Sequence, residues 1–284
     1  MALVNCRDIL QEGREKGYGV LSLLGGNIEM ALGMIRAAEE MSHPIILTFT
    51  QEVNLGIPLE VGMPMLVNAA QRANVPVGTI LDHGSDLNMV MRAIDCGTKS
   101  VMFDGSLLPY EENILRTKEV VDYSHPRGVC VEAELGSIAG SAVDPGSTGP
   151  ESIYTDPHVA AEFVKRTGVD YLAISFGNAH GVYRGKPKLD LERVKQIYQA
   201  VEVPLVAHGS SGLEDDLYPQ LVKSGITKVC YYTAMARAAY KDLKSFTEQA
   251  RMDGAYHDII ARSMDFFYRD TKRLLKLLGP YEAR

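Results

Sequence analysis

The sequence predicts a single α/β domain over residues 1–284, a parallel sheet closed into a (β/α)8 TIM barrel with a C-terminal helical extension. Two observations favour this fold class. A short β-rich run, a turn and an amphipathic stretch alternate along the whole chain. The β-rich runs are apolar almost throughout, as strands buried on both faces require. The competing fold, an open doubly wound sheet, usually carries GxGxxG after its first strand, and Gly25-Gly26-Asn27 does not match it.

The elements follow one another in a regular order. The apolar runs predict strands over 17–23, 44–50, 76–82, 100–104, 128–135, 170–176, 203–208 and 227–233. Apolar residues that recur every three or four positions predict the helices between them, as Met30, Met34 and Ala37 do in the first one. Examples of these helical patterns are 27–41, 112–124, 157–167, 191–201 and 216–225.

Two segments depart from this repeat. Residues 136–156 are rich in Gly, Ser and Pro, and so long a loop in a compact domain is typical of a lid or a disordered connection. We expect a mobile lid. Residues 253–279 are helical and amphipathic, with more apolar side chains than the closure of one barrel needs. This tail either forms a subunit interface or packs under the barrel.

Composition and charge exclude several classes of protein. Acidic residues (36) outnumber basic ones (29), and the net charge of −7 argues against nucleic acid or an anionic membrane as partner. No apolar run approaches the ~20 residues that span a bilayer, and the first residues do not resemble a signal peptide. Four dispersed cysteines without a CxxC pair indicate reduced thiols. A cytoplasmic protein is therefore expected.

Three histidines fall where predicted strands end. His83, His180 and His208 are each followed by glycine, which lets a ligand approach the backbone closely. In a (β/α)8 barrel these strand ends meet at one face, where the reactive groups lie. Three convergent imidazoles are the ligand set of a catalytic zinc with an open fourth position. Because the three lie far apart in sequence, three independent, hydrogen-bonded histidines are the alternative.

Carboxylates accompany these histidines. Asp82 directly precedes His83, and beside a metal it would be the proton shuttle for an oxygen that the metal does not hold. An ion pair or a helix cap is its alternative role. Asp104 and Glu134 lie at two further strand ends. They would hold the metal or orient its ligands, unless they form structural salt bridges.

A phosphate-binding segment is predicted after the last two strands. Gly209-Ser210-Ser211-Gly212 follows the seventh strand, and Thr233 ends the eighth. Barrels commonly bind phosphate at this place, because backbone N–H groups and hydroxyls there surround the oxyanion at a helix N-terminus. A Gly-Ser turn is common in loops, so its position in the barrel is what carries the prediction.

Together these motifs resemble the class II, zinc-dependent ketose-bisphosphate aldolases, and most closely the tagatose- and fructose-bisphosphate aldolases of bacteria. The resemblance lies in LDHG (81–84), EAELG (132–136), GNAHG (177–181) and LVAHGSSG (205–212), and it covers about residues 17–240. It implies Zn²⁺ as cofactor and a phosphorylated sugar as substrate. The zinc residues that it implies are His83, His180 and His208, with Asp104 and Glu134 near the metal.

The resemblance also implies the remaining roles. Asp82 would be the acid/base at the aldehyde oxygen. A monovalent cation would lie near the phosphate of dihydroxyacetone phosphate. The residues around that phosphate would be Gly181, Gly209, Ser210, Ser211 and Thr233.

Several positions depart from the family pattern. Leu23-Leu24 replaces Phe-Asn, and Ser141-Ala142 replaces the region of the Glu that deprotonates the donor. Asp144 or Glu151 would have to supply that proton transfer. Cys230, Tyr231 and Tyr232 replace Asn-Ile-(Ala/Asp), so we expect them to line a reshaped sugar pocket.

The tail also departs from the family. Ala255-Tyr256-His257 stands where the family has an Asp-Pro-Arg whose arginine reaches the second phosphate from a neighbouring subunit. No neutral residue replaces a bidentate arginine–phosphate contact. The expected substrate is therefore not a standard 1,6-bisphosphate.

The predicted function is a zinc-dependent aldolase that cleaves a phosphorylated ketose between C3 and C4, giving dihydroxyacetone phosphate and an aldehyde. Zinc would act as electron sink in place of a Schiff-base lysine. Two alternatives stay open: a metal lyase that uses another enolate, and an altered family member that serves as a sugar-phosphate-binding or structural subunit. A homo-oligomer, dimer or tetramer, is expected.

Overall fold

The computed structural model describes residues 2–50, 56–138, 140, 153–181, 183, 185–249 and 254–280. In this part of the chain, eight parallel strands close into a barrel and a short additional strand joins its N-terminal end. The strands are β1 (Leu3–Val4), β2 (Val20–Leu24), β3 (Ile45–Phe49), β4 (Val77–Gly84), β5 (Ser100–Phe103), β6 (Cys130–Leu135), β7 (Tyr171–Ile174), β8 (Leu205–Ala207) and β9 (Ile226–Tyr231). The eight predicted strands are present as β2–β9.

The barrel is closed by pairing between its first and last strands. β2 pairs with both β3 and β9, with Ser22 opposite Cys230. From β2 to β9 each strand also pairs in parallel with the next one along the chain. The short β1 pairs with the start of β4, where Leu3 lies opposite Val77. The predicted (β/α)8 barrel is confirmed.

Helices surround this barrel. Within the described ranges, none of them is both long and apolar enough to cross a membrane. They are α1 (Cys6–Lys16), α2 (Ile28–Glu40), α3 (Leu59–Gln71), α4 (Leu87–Asp95), α5 (Tyr110–Ser124), α6 (Pro157–Thr167), α7 (Leu191–Ala200), α8 (Leu217–Ser224), α9 (Thr233–Gln249) and α10 (Tyr256–Leu275).

The barrel interior is apolar at one end and polar at the other. α1, which the sequence pattern does not predict, begins at the Asn5 cap and places Cys6, Ile9 and Leu10 in the inner apolar cluster. Inward-facing strand residues such as Ile80 complete that cluster. Towards the carboxyl ends of the strands the buried inward-facing residues are polar or charged. The apolar cluster therefore fills the amino-terminal end of the barrel, and the buried charged side chains lie towards its carboxyl-terminal end. The charged or titratable residues are Asp82, Glu132, Glu134, His208 and Lys228.

The C-terminal tail packs along α2. A helix covers most of the predicted segment 253–279, and its Met264 carbonyl lies so near Gly33 that a Cβ there would be 2.5 Å away. Lys272 and Tyr268 of α10 both bond Glu40 at the end of α2. α10 therefore covers an outer helix of the barrel.

The predicted lid lies mainly outside the described residues. Its first and last parts are joined by backbone hydrogen bonds of 3.0 Å between Ser137 and Ile153. Residues 139 and 141–152 are not among the described ones, and they include Ser141, Ala142, Asp144 and Glu151. The mobile lid and its replacement base stay predictions.

Candidate active site

The three histidines predicted as metal ligands converge at the carboxyl-terminal face of the barrel. His83 lies in the last residues of β4, His180 follows β7 and His208 follows β8. Their ring centroids are 5.2 Å (His83–His180), 4.7 Å (His83–His208) and 5.8 Å (His180–His208) apart. One nitrogen of each ring lies within 4.8 Å of the other two. This arrangement suits one zinc ion, whose bonds to histidine nitrogen are about 2.0–2.1 Å long.

Carboxylates orient two of these rings. His83 Nδ1 lies 2.7 Å from Asp104 Oδ2, which leaves Nε2 for a metal. His208 Nε2 lies 2.8 Å from Glu132 Oε1, which leaves Nδ1. At zinc sites a carboxylate commonly bonds the second nitrogen of a ligand histidine, where it fixes the tautomer and the ring orientation. Asp104 is therefore placed for the orienting role predicted for it.

His180 is held through its backbone. A Cβ at Gly140 would lie 2.4 Å from the His180 carbonyl oxygen, and a Cβ at Gly209 would lie 2.4 Å from the Ala179 carbonyl. Both glycines have positive φ angles, 90° and 61°, which other residues rarely adopt. Glycine at these two positions thus lets three loops pack around His180.

The chemistry of the His180 ring fits a metal ligand. Its Nε2 is buried and has no hydrogen-bond partner among the described residues. Burial, together with the charges of His83 and His208, lowers the pKa of His180 to about 3. The ring is therefore neutral near pH 7, the form that binds metal. Because an unpartnered buried nitrogen is costly, a bound cation would resolve this cost.

Asp82 is buried beside the triad. Its Oδ2 lies 4.0 Å from His83 Nε2, and its Oδ1 has no hydrogen-bond partner among the described residues. Burial by itself raises the pKa of Asp82, but the nearby charges of Lys228 and the histidines outweigh burial and lower the pKa below its usual value. An ionised carboxylate with an available oxygen can accept a proton from a molecule bound at the triad.

Two further carboxylates surround His83. Asp104 Oδ1 accepts hydrogen bonds from Ser106 N (3.1 Å) and Ser106 Oγ (2.7 Å). Glu134 Oε2 is buried without a described partner, and burial together with the charge of Asp104 raises the pKa of Glu134 to about 7. Although burial opposes it, the charges of Asp82 and Asp104 raise the pKa of His83 to about 9. The carboxylates around His83 therefore stabilise a positive charge at this ring.

The structure adds two charged residues to which the sequence assigns no role. Glu132 and Lys228 are fully buried, with 2.6 Å between Glu132 Oε2 and Lys228 Nζ. Two signals could have found them. Glu132 has the same side-chain direction along β6 as Glu134, and Lys228 interrupts an otherwise apolar strand. A charge inside such a strand needs a partner within the barrel.

Of the predicted phosphate residues, Ser211 and Thr233 lie at the start of α9, whereas Ser210 is fully buried and its hydroxyl donates a 3.0 Å hydrogen bond to the Ala207 carbonyl. Ser211 Oγ accepts a 2.7 Å hydrogen bond from Ala234 N in the first turn of α9, and Thr233 begins that helix. The carbonyl of Ser210 accepts a 2.9 Å hydrogen bond from the Tyr218 hydroxyl. A serine hydroxyl that accepts this bond still has a proton that it can donate to an anion, and the helix N-terminus favours negative charge.

Two glycines connect this segment to the metal ligands. Gly209 directly follows His208 and packs against the backbone before His180. Gly181 directly follows His180 and has a φ of 84°. A molecule whose phosphate rests on the segment 209–212 would thus have its neighbouring atoms close to the three imidazoles.

The three unusual residues at the end of β9 have different surroundings. Side chains alternate along a strand, so Cys230 faces the interior whereas Tyr231 faces outwards. The ring of Tyr231 lies 6.1 Å from that of Tyr218, and its hydroxyl lies 3.4 Å from Arg273 Nη2 in α10. The structure therefore does not bring Tyr231 into the predicted sugar pocket. Tyr232 is half-buried, just before α9.

The carboxyl-terminal face of this (β/α)8 barrel carries three imidazoles, a buried carboxylate and an anion-binding segment. This is the architecture of a metal-dependent lyase of the aldolase type. A sequence model of the family described as fructose-bisphosphate aldolase class-II matches residues 4–281. The chain belongs to this family of metal-dependent aldolases. The resemblance predicted from the sequence motifs is confirmed.

Individual relatives agree with this assignment. The chain is 41% identical over 238 residues to a protein of Escherichia coli K12 described as uncharacterized protein YdjI, covering 84% of this chain and 85% of that one. The crystal structure of the YdjI aldolase superimposes with a TM-score of 0.87 and 36% identity over 98% of both chains. A putative fructose-1,6-bisphosphate aldolase from Coccidioides immitis gives a TM-score of 0.83 and 28% identity over 96% of both chains.

Proposed function

We propose that this aldolase cleaves a phosphorylated ketose between C3 and C4, giving dihydroxyacetone phosphate and an aldehyde, with zinc at His83, His180 and His208. The observation that carries the proposal is the packing of the phosphate segment against the metal ligands through Gly209. One substrate can thereby place its C1 phosphate on the segment 209–212 and its carbonyl at the triad. A monovalent cation beside the phosphate stays a prediction.

The described residues share the cleavage step, and the proton that C3 takes to complete dihydroxyacetone phosphate would come from Asp144 or Glu151, as the sequence predicts. A zinc ion at the triad would supply Lewis acidity towards the ketose carbonyl. Asp82 has an ionised carboxylate next to the triad, so it takes the proton from the C4 hydroxyl during cleavage and returns it in the reverse direction. Asp104 and Glu132 keep the His83 and His208 rings in position. Ser211 and the N-terminus of α9 bind the phosphate.

The substrate proposed is a ketose 1-phosphate whose far end is uncharged or differently charged. The tail residue His257 is an exposed side chain, 84% accessible, that lies 3.6 Å from Asp258. Arg262, one helical turn further on, is bound to both carboxylate oxygens of Asp242 at 2.7 Å. A second phosphate would have to displace Asp242 from Arg262, which costs two charge-assisted hydrogen bonds.

The test compares kcat/KM for a ketose 1,6-bisphosphate and for the matched ketose 1-phosphate with the zinc-loaded enzyme. We expect the 1-phosphate to be cleaved more efficiently. A bisphosphate preferred about tenfold or more, ~1.4 kcal/mol of transition-state binding, would contradict the proposed substrate. Cleavage of neither compound by a protein that still binds zinc and dihydroxyacetone phosphate would instead favour a sugar-phosphate-binding subunit.

A further inference from the structure

Lys228 occupies the centre of the polar half of the barrel. It is fully buried in β9, and its Nζ lies 2.6 Å from Glu132 Oε2 and 3.8 Å from Asp82 Oδ1. The other oxygen of Glu132 lies 2.8 Å from His208 Nε2. One ammonium group on β9 therefore contacts the carboxylate that orients a metal ligand and stands next to the acid/base carboxylate.

The connection runs through a single, fully buried carboxylate. Glu132 has two oxygens, and each has one short contact, Oε1 to His208 and Oε2 to Lys228. A carboxylate held at both oxygens has a fixed plane, whereas one held only by a histidine can rotate about its last bond. Removal of the ammonium would also leave a buried, uncompensated charge, which is strongly unfavourable.

We propose that Lys228 is a positioning residue of the metal centre: by fixing Glu132 it keeps His208 Nε2 occupied and turns Nδ1 towards the metal. The inference rests on the proposed zinc site, because it assumes that His208 is a ligand. Lys228 does not touch the metal in this arrangement. It acts through Glu132. This role explains why a charged side chain lies in a region that apolar side chains could otherwise fill.

A purely structural role is the alternative. Below Lys228 the interior is apolar, and its Nζ lies 5.9 Å from the ring centroid of Tyr171. Removal of one partner from a buried ion pair destabilises the fold whether or not the pair also positions a metal ligand. Stability measurements alone therefore cannot distinguish the two roles, and the test has to report on the metal.

The experiment compares Lys228→Met with Thr227→Val. Thr227 is the preceding residue on β9 and is also buried, but its methyl group lies against Gly13 of α1, away from the metal ligands. Two readouts are taken from each protein: the zinc dissociation constant from chelator competition, and the visible absorption spectrum after Co²⁺ replaces zinc. We expect Lys228→Met to bind zinc about 10–100-fold more weakly, as loss of an outer partner of a ligand usually does, and to shift the Co²⁺ spectrum. Thr227→Val should change neither.

The outcomes separate the inference from the proposed function. A folded Lys228→Met protein with the zinc affinity and Co²⁺ spectrum of the parent overturns the inference alone. A parent protein that binds no stoichiometric zinc overturns the proposed function as well. If Lys228→Met does not fold, the same substitution is made in the Glu132→Gln background, where no uncompensated carboxylate is left, and is compared with Glu132→Gln alone. Weaker zinc binding with a shifted spectrum in the double variant than in Glu132→Gln supports the inference, and equal values overturn it.

Discussion

Gly209→Ala tests whether the phosphate segment and the metal ligands depend on each other. Gly209 has a φ of 61°, and this left-handed conformation costs an alanine about 1–2 kcal/mol. The new Cβ would also lie 2.4 Å from the Ala179 carbonyl, where 3.4 Å is the lower limit of an ordinary contact. The backbone before His180 would thus have to move by about 1 Å, and a displacement of that size can lower a catalytic rate about 100-fold.

Gly128→Ala is the matched control for this variant. Gly128 has a φ of 69°, so its replacement introduces the same backbone strain, but a Cβ there meets no atom within 4 Å. Urea unfolding should show a loss of about 1–2 kcal/mol in Gly128→Ala and a larger loss in Gly209→Ala, where the contact with Ala179 adds to the same backbone strain. Only Gly209→Ala should also bind zinc more weakly and lose kcat. If its zinc affinity and kcat equal those of Gly128→Ala within about twofold, a factor worth only ~0.4 kcal/mol, the coupling is refuted.

Three further predictions concern single side chains. His180→Ala should not retain stoichiometric zinc after dialysis, because three protein ligands leave no redundancy; a zinc content equal to that of the parent would contradict the assignment. Asp82→Asn should keep its zinc but lose about 10²–10⁴-fold in cleavage rate, the usual share of acid–base catalysis. Loss of zinc from this variant would instead make Asp82 a ligand. Tyr231→Phe should leave KM for the ketose phosphate unchanged, since this ring packs on Tyr218 outside the barrel; a clear rise in KM would show that its hydroxyl reaches the substrate.

Much of the architecture could be predicted because it depends on local pattern. Strands buried on both faces must be apolar along their length, so their positions could be found from the sequence as continuous runs. Closure of a parallel barrel then brings the carboxyl ends of all strands to one face. For this reason His83, His180 and His208 could be proposed as one site although they lie far apart in the chain.

Other features depend on which side chains meet inside the barrel. The sequence indicates that Lys228 interrupts an apolar strand, but its partner Glu132 lies on another strand across the interior, so only the closed barrel brings the two together. The same holds for Gly140 and Gly209, whose importance comes from the backbone of His180 that packs against them. Such contacts join distant parts of the chain and leave no periodic signal.

The sequence by itself determined the fold class, the aldolase motifs and the face on which the ligands gather. The spacing of apolar residues, the order of the strands and the positions of their ends are all properties of consecutive residues. Tertiary structure alone decided that Tyr231 packs towards α10 and that Arg262 is held by Asp242. It also decided that the buried Lys228 contacts Glu132, whose other oxygen contacts His208. These outcomes depend on side-chain direction and on partners far away in sequence, which become defined only when the barrel closes and the helices pack around it.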